Sequence, residues 1–243
     1  MRIDLPGLGD SVVDEAGREN APYVPDASAV MATALEAFSR HTGATSFVLA
    51  GLCSGAHTSF HAALDLERSP IVESVLINPL TFAYTPGMSL DVSAEPHAAR
   101  SHRYWRSMGS VQGWLKLLRN DVGVATIARD VVARGRIVAR HWRDAAGLRR
   151  DEHTNATART DLGANLRRLV ERRRKLTLVF SRFDPGYDLL MVEAGGIVKT
   201  QRKSGQVNVW FIEGANHTFD ARKPRAEMVA SLTSFLTKRY LGR

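Results

Sequence analysis

Residues 46–55 read Ser-Phe-Val-Leu-Ala-Gly-Leu-Cys-Ser-Gly, and they hold Cys53, the only cysteine of the chain, between Gly51 and Gly55. The apolar half of this stretch predicts a buried strand, and the residues after it have the pattern of a helix. A sharp turn from strand to helix lifts its central side chain clear of the sheet, and small residues on both sides allow close backbone packing. The stretch therefore predicts a nucleophile elbow with Cys53 at its tip.

Strand and helix signals alternate on both sides of this elbow. Apolar residues three and four positions apart predict helices over 27–41, 54–66 and 224–240. Short apolar runs predict strands over 46–51, 71–78, 176–181 and 207–212. Residues 2–11 read as the end of a further strand that runs into a glycine-rich turn. This alternation predicts an α/β fold, in which a mostly parallel sheet has helices on both faces.

The strand signal disappears from residue 81 to about residue 174, where apolar residues recur at the spacing of short amphipathic helices. We interpret this region as an inserted helical cap. The chain then consists of an amino-terminal part of the α/β core over 1–80, the cap over 81–174, and a carboxy-terminal part of the core over 175–243. Trp105 and the other cap tryptophans form either the core of the cap or a surface for substrate, and we expect Trp105 to bind substrate.

Composition excludes several classes of protein. Of the 243 residues, 44% are hydrophobic and 24% are charged, which is ordinary for a globular chain. No apolar run approaches the roughly 18 residues of a membrane span. A single cysteine allows no intramolecular disulfide, and the first residues lack the apolar core of a signal peptide. We therefore expect a cytoplasmic protein.

Positive charge is concentrated in residues 97–175, which hold 19 of the 33 lysines and arginines and 7 of the 25 acidic residues. The net charge is therefore +12 in this region and −4 in the rest of the chain. Such a surface attracts the acidic face of an acyl carrier protein or a phosphorylated substrate such as a coenzyme A thioester, or it is only a solvated helical face. The arginines lack the interleaved aromatic residues of a base-stacking surface, so we expect no nucleic-acid partner.

Three reactive side chains follow predicted strands at the edge where a parallel sheet gathers its ligands. Cys53 follows the first of the four apolar runs, Asp184 follows the third and His217 follows the fourth. A histidine can accept the proton of a thiol, and a carboxylate can orient the imidazole. Asp188, one helical turn after Asp184, is an alternative acid.

Other roles for the neighbouring residues are also open. Ser54 is an alternative nucleophile, but that register puts the side chain of Leu52 where it crowds the turn, so we expect the Ser54 N–H to be an oxyanion donor. His57 and His61 have a helical spacing that permits shared metal ligation. The sequence adds neither an HExxH glutamate nor a third ligand, so we expect no metal and no cofactor. We expect His57 to bind substrate.

These features resemble the α/β-hydrolase superfamily over nearly the whole chain. The resemblance runs through residues 2–11, the elbow, residues 183–186 (Phe-Asp-Pro-Gly) and residues 214–219 (Gly-Ala-Asn-His-Thr-Phe). A cysteine at the elbow is similar to the elbows of dienelactone hydrolases and polyhydroxyalkanoate synthases. Further stretches resemble bacterial hydrolases associated with extracellular polysaccharide systems: residues 51–56, 77–80 and 87–91.

The resemblance implies an α/β-hydrolase-type fold with Cys53, Asp184 and His217 as a catalytic triad. It implies an acyl-transfer hydrolase that acts on a small-molecule ester or thioester through a thioester on Cys53. Because a thioester remains reactive toward amines and alcohols, an acyltransferase with a carrier-bound acyl donor is an alternative. A binding protein that keeps the elbow only as architecture is a second alternative.

The resemblance also implies strands that this sequence does not contain. In the superfamily, three strands precede the one that residues 2–4 resemble, and the loop after the third strand supplies a second oxyanion N–H. We expect either a start codon assigned too late or a truncated product. Losing one oxyanion donor costs about 10² to 10³ in turnover, so we expect weak or no hydrolase activity from the chain as given.

Overall fold

A computed structural model describes residues 1–13, 19–24, 26–84, 161–182 and 184–242. The strands are β1 (Phe47–Leu52), β2 (Ile71–Ile77), β3 (Lys175–Ser181) and β4 (Val207–Ile212). The helices are α1 (Ala27–Thr42), α2 (Ser54–Asp65), α3 (Leu162–Glu171), α4 (Pro185–Lys203) and α5 (Arg222–Tyr240). The four strands and helices α1, α2 and α5 lie within two residues of the bounds that the sequence predicts.

The four strands form one parallel sheet in the order β1-β2-β3-β4. Leu76 of β2 is level with Gly51 of β1 on one side and with Leu178 of β3 on the other. All four strands therefore end at the same edge of the sheet, and each is followed by a segment that starts from this edge. The predicted α/β class is confirmed, and the sheet together with its elbow fits an α/β-hydrolase-type fold.

Helices cover both faces of the sheet, as predicted. Leu76 and Leu178 point to one face, where they join the larger apolar core with residues of α1 to α4. Their neighbours Val75 and Val179 point to the other face, where they pack with Met228 of α5. This alternation is the two-residue period of a strand with both faces buried.

The predicted strand near residues 2–4 is wrong. This segment is not part of the sheet, and its backbone bonds locally, with the N–H of Leu8 donating to the carbonyl of Leu5 at 2.9 Å. Leu5 is only 8% exposed and packs in the larger core together with the half-buried Ile3. Burial of Ile3 and Leu5 explains why apolar residues alternate in this segment. Among the described residues, no strand pairs with β1 on the side away from β2.

Helix α3 lies inside the range that the sequence predicts as the cap, and it packs in the core. Leu166 and Leu169 are fully buried in the larger core, and the Asp161 carboxylate caps the helix by accepting from the N–H of Ala164 at 2.9 Å. The helix leads directly into β3. The rest of the predicted cap, residues 85–160 with Trp105, lies outside the described residues, so the division into core and cap stays a prediction.

Within the described ranges, no helix combines the length and the apolar character needed to cross a membrane.

Candidate active site

Cys53 lies in a strained backbone conformation at the turn between β1 and α2. Its φ of 55° and ψ of −113° are outside the regions that residues with a side chain ordinarily adopt. The N–H of Cys53 donates to the carbonyl of Ile77 at 2.9 Å, which ties the turn to the end of β2. This is the sharp turn that the sequence predicts, and the strain is of the kind found at functional sites.

Only one of the two glycines around Cys53 is at a position where a side chain would clash with the backbone. A Cβ at Gly51 would lie 2.1 Å from the backbone carbonyl of Gly55, which is far too close. A Cβ at Gly55 would meet nothing within 4 Å. The close approach of strand and helix therefore depends on Gly51.

The amino terminus of α2 starts directly after Cys53. The amides of Ala56 and His57 donate to the carbonyl of Cys53 at 3.0 and 3.2 Å, and Ser54 is the first helical residue. The first N–H groups of a helix have no acceptor within the helix, and they carry the positive end of its dipole. The Ser54 amide is thus located where an oxyanion donor is expected, and its role stays a prediction.

Asp184 contacts His217 through a short hydrogen bond. The Asp184 Oδ2 and His217 Nδ1 atoms are 2.7 Å apart, and Asp184 is 5% exposed. The other oxygen, Oδ1, accepts from the N–H of Gly186 at 2.9 Å and so caps α4. Of the two acids that the sequence offers for the Nδ1 contact, the structure brings Asp184, and not Asp188, to the histidine.

The imidazole of His217 also interacts with Cys53. Nε2 is buried and has no hydrogen-bond partner among the described residues, yet the ring interacts with the Cys53 thiol. Burial disfavours the charged ring, but Asp184 and then Cys53 outweigh burial and raise the pKa of His217 to about 9.

The loop that carries His217 is held by side-chain hydrogen bonds. The amide of Asn216 donates to Asp220 Oδ2 at 2.8 Å, and the hydroxyl of Thr218 donates to Asp220 Oδ1 at 2.6 Å. These two bonds also lower the pKa of Asp220, so the carboxylate that closes the loop stays ionised. His217 therefore lies in a turn that these side-chain hydrogen bonds stabilise.

Asn78, at the end of β2, binds the backbone of this loop and was given no role from the sequence. Its Nδ2 donates to the carbonyl of His217 at 2.7 Å, and its Oδ1 accepts from the N–H of Ser181 at 2.7 Å. Asn78 is fully buried and has a φ of 41°. The one feature of the sequence that could have pointed to Asn78 is that a polar residue directly follows a buried apolar strand.

A cluster of aromatic rings lies beside Cys53. Tyr23 stacks on Tyr84 with 4.2 Å between the ring centroids, and it contacts His57 edge-on at 5.0 Å. Its hydroxyl interacts with the Cys53 thiol but has no hydrogen-bond partner in the part of the chain that is described. The sequence carried no signal for Tyr23, because it lies in a loop without periodicity.

The other predicted site residues have mixed outcomes. His57 lies next to Tyr23, near the elbow, and its role in binding substrate stays a prediction. His61 is buried, and its Nε2 is 2.8 Å from the carbonyl of Phe82, so that nitrogen already has a partner in the core. No group of three potential metal ligands occurs among the described residues. Trp105 lies outside them.

Comparisons with known proteins find distant structural similarities. No family model and no curated protein sequence matches the chain. A solved structure from work on carboxylesterases of the ammonia-oxidizing thaumarchaeon Nitrososphaera gargenis is 16% identical, with a TM-score of 0.40 over 91% of this chain and 76% of that one. An alpha/beta hydrolase enzyme from a sediment metagenome of the lagoon of Mar Chica, Morocco, is 11% identical, with a TM-score of 0.38 over 90% and 75%. Similarities this distant do not identify the function of this chain.

Proposed function

We propose that this protein is an acyl-transfer hydrolase that cleaves an ester or thioester through Cys53, with His217 as proton carrier and Asp184 as the orienting acid. One observation carries the proposal. The Asp184 carboxylate is hydrogen-bonded to His217, and the His217 ring interacts with Cys53, whose backbone is strained at the elbow. A nucleophile, its base and a group that orients the base are the parts that covalent acyl transfer requires.

The raised pKa of His217 favours an ion pair of thiolate and imidazolium as the resting state. The thiolate sulfur attacks the carbonyl carbon of the substrate, a C–S bond forms, and the carbonyl electron pair moves onto oxygen. The Ser54 N–H hydrogen-bonds to this oxyanion. The oxyanion then collapses, the bond to the leaving group breaks, and the His217 imidazolium gives its proton to the departing alkoxide or thiolate.

The acyl group is then bound to Cys53 as a thioester. Neutral His217 takes a proton from water, the resulting hydroxide attacks the thioester carbonyl, and a second oxyanion forms at the same donors. Its collapse breaks the C–S bond, releases the carboxylic acid and restores the thiolate. An alcohol or amine in place of water would make the same site an acyltransferase.

The basic region over 97–175 supports an acidic or phosphorylated carrier of the acyl group, such as an acyl carrier protein or coenzyme A. A cytoplasmic location, a cysteine-nucleophile subclass and an association with polysaccharide systems stay predictions.

Steady-state hydrolysis of p-nitrophenyl acetate and of a short acyl thioester tests the proposal. Cys53→Ala should abolish the reaction. Asp184→Asn should lower kcat toward the background rate, because it leaves the imidazole in the wrong tautomer. Asp188→Asn is the matched control and should keep a rate near that of the wild type. Equal losses in Asp184→Asn and Asp188→Asn, or a rate that survives Cys53→Ala, would count against the proposed triad.

A further inference from the structure

Tyr23 is held rigidly against the elbow by its ring. Stacking on Tyr84 at 4.2 Å, with only 12° between the planes, and an edge contact with His57 fix the orientation of the phenol. His57 belongs to the first turn of α2, and its N–H donates to the carbonyl of Cys53 at 3.2 Å. The ring of Tyr23 is thus positioned against the same helical turn that presents the cysteine.

The hydroxyl of Tyr23 is buried without a hydrogen-bond partner. Tyr23 is 8% exposed, and its oxygen is one of three buried side-chain polar atoms that lack a partner in the described ranges. Buried hydroxyls are rarely left unpaired, because losing water without gaining a hydrogen bond destabilises the protein. Another of the three atoms is Nε2 of His217. Both groups interact with the Cys53 thiol and keep hydrogen-bonding capacity that a ligand could use.

We propose that Tyr23 is an oxyanion donor, whose hydroxyl hydrogen-bonds to the substrate carbonyl oxygen as Cys53 attacks the carbonyl carbon. This inference rests on the proposed function of Cys53. A carbonyl carbon bonded to the sulfur of Cys53 has its oxygen two bonds from that sulfur, so a hydroxyl that interacts with the thiol is near the developing oxyanion. The Ser54 amide and Tyr23 would then donate to the same oxygen from the α2 terminus and from the loop before α1.

The electrostatics of Tyr23 agree with a role as donor. Burial, followed by the charges of Cys53 and Tyr84, raises the pKa of the phenol well above its usual value. The hydroxyl therefore keeps its proton at neutral and moderately alkaline pH. The proton stays on Tyr23 during the reaction, since the leaving group receives its proton from His217.

The test compares Tyr23→Phe with Tyr84→Phe and the wild type. Both variants keep the stacked rings and remove one hydroxyl, so Tyr84→Phe controls for the loss of a phenol from the same stack. Two reactions of Cys53 are measured by stopped flow: acylation by p-nitrophenyl acetate, which passes through an oxyanion, and alkylation by iodoacetamide, which does not. The thermal midpoint of each variant is recorded to show that it is folded.

We expect Tyr23→Phe to slow acylation by about 10² to 10³, the usual cost of losing an oxyanion donor, and to leave alkylation unchanged. Its thermal midpoint should equal or exceed that of the wild type, because an unpaired buried hydroxyl has been removed. Tyr84→Phe should acylate at the rate of the wild type.

Three results would overturn the inference. Unchanged acylation in Tyr23→Phe would show that the hydroxyl does not contact the oxyanion, while the function of Cys53 would stand. Equal slowing of acylation and alkylation would show that Tyr23 acts on the thiolate instead. Wild-type protein that is alkylated but not acylated at Cys53 would refute the proposed function, and the role of Tyr23 with it.

Discussion

The side-chain amide of Asn78 donates to the backbone carbonyl of His217 at 2.7 Å, across 139 residues of sequence. The same side chain accepts from the N–H of Ser181 through its other polar atom. Asn78 therefore connects the ends of β2 and β3 with the loop after β4. The position of His217 relative to Cys53 depends on this connection, because Cys53 is itself bonded to the carbonyl of Ile77, the residue before Asn78.

Asn78→Asp should lower kcat without a matching change in KM. The change keeps the size, the tolerance for a positive φ and the acceptor for Ser181, but it replaces the donor to His217 with a carboxylate oxygen that repels the His217 carbonyl. The carbonyl left unpaired costs about 1 to 3 kcal/mol of stability, and His217 is free to move away from the thiol. Urea unfolding and steady-state kinetics measure the two effects.

Asn208→Ala is the control for Asn78. Asn208 is a half-buried asparagine on β4 whose amide donates to Thr177 at 3.3 Å. A stability loss in Asn208→Ala with normal kcat, beside a kcat loss in Asn78→Asp, is the expected pattern. Normal kcat in Asn78→Asp would contradict the positioning role.

The sequence predicts the sheet well because each strand and most helices have a local apolar pattern that burial then confirms. Cys53, Asp184 and His217 could be proposed as site residues for a related reason, since each lies within five residues of the end of a predicted strand. Asn78 and Tyr23 could not be assigned roles, because their importance arises from contacts with residues distant in the sequence. Residues 2–4 were misread because Ile3 and Leu5 alternate like a strand even though they have no partner strand.

Gly51→Ala and Gly55→Ala should have opposite effects, although the two glycines flank Cys53 symmetrically. A methyl group at Gly51 overlaps the backbone of Gly55, which cannot move without distorting the elbow, so we expect a loss of about 3 kcal/mol or more. Gly55 lies in α2 with open space around it, and alanine there should stabilise by about 0.5 to 1 kcal/mol. Thermal unfolding of both variants checks the pair, and similar destabilisation by both would contradict this geometry.

The stability that His217 contributes should decrease with rising pH. Its pKa is about 9 in the folded protein against an ordinary value of 6.5, so folding favours the protonated ring. The contribution is complete below pH 6.5 and is lost as the pH rises through about 9. The difference in unfolding free energy between the wild type and His217→Gln, measured from pH 6 to 10, should fall over this window. A difference that grows with pH would contradict the assignment.

The pH dependence of the rate should reverse when the nucleophile is changed. With Cys53, the leaving group takes its proton from imidazolium, so kcat/KM should fall as His217 loses its proton near pH 9. Cys53→Ser needs neutral His217 as a base, so its much lower activity should rise with pH instead. Profiles of the same shape for both proteins would indicate that no ion pair with the thiolate forms.

Peptide mass spectrometry after brief exposure to p-nitrophenyl acetate shows whether Cys53 carries the acyl group. We expect one acetyl group on the peptide that contains Cys53, present in the wild type, much slower to form in Asp184→Asn and absent in Cys53→Ala. Hydrolysis by the wild type with an unmodified Cys53 throughout turnover, or acetylation that persists in Cys53→Ala at another residue, would show that Cys53 is not the nucleophile.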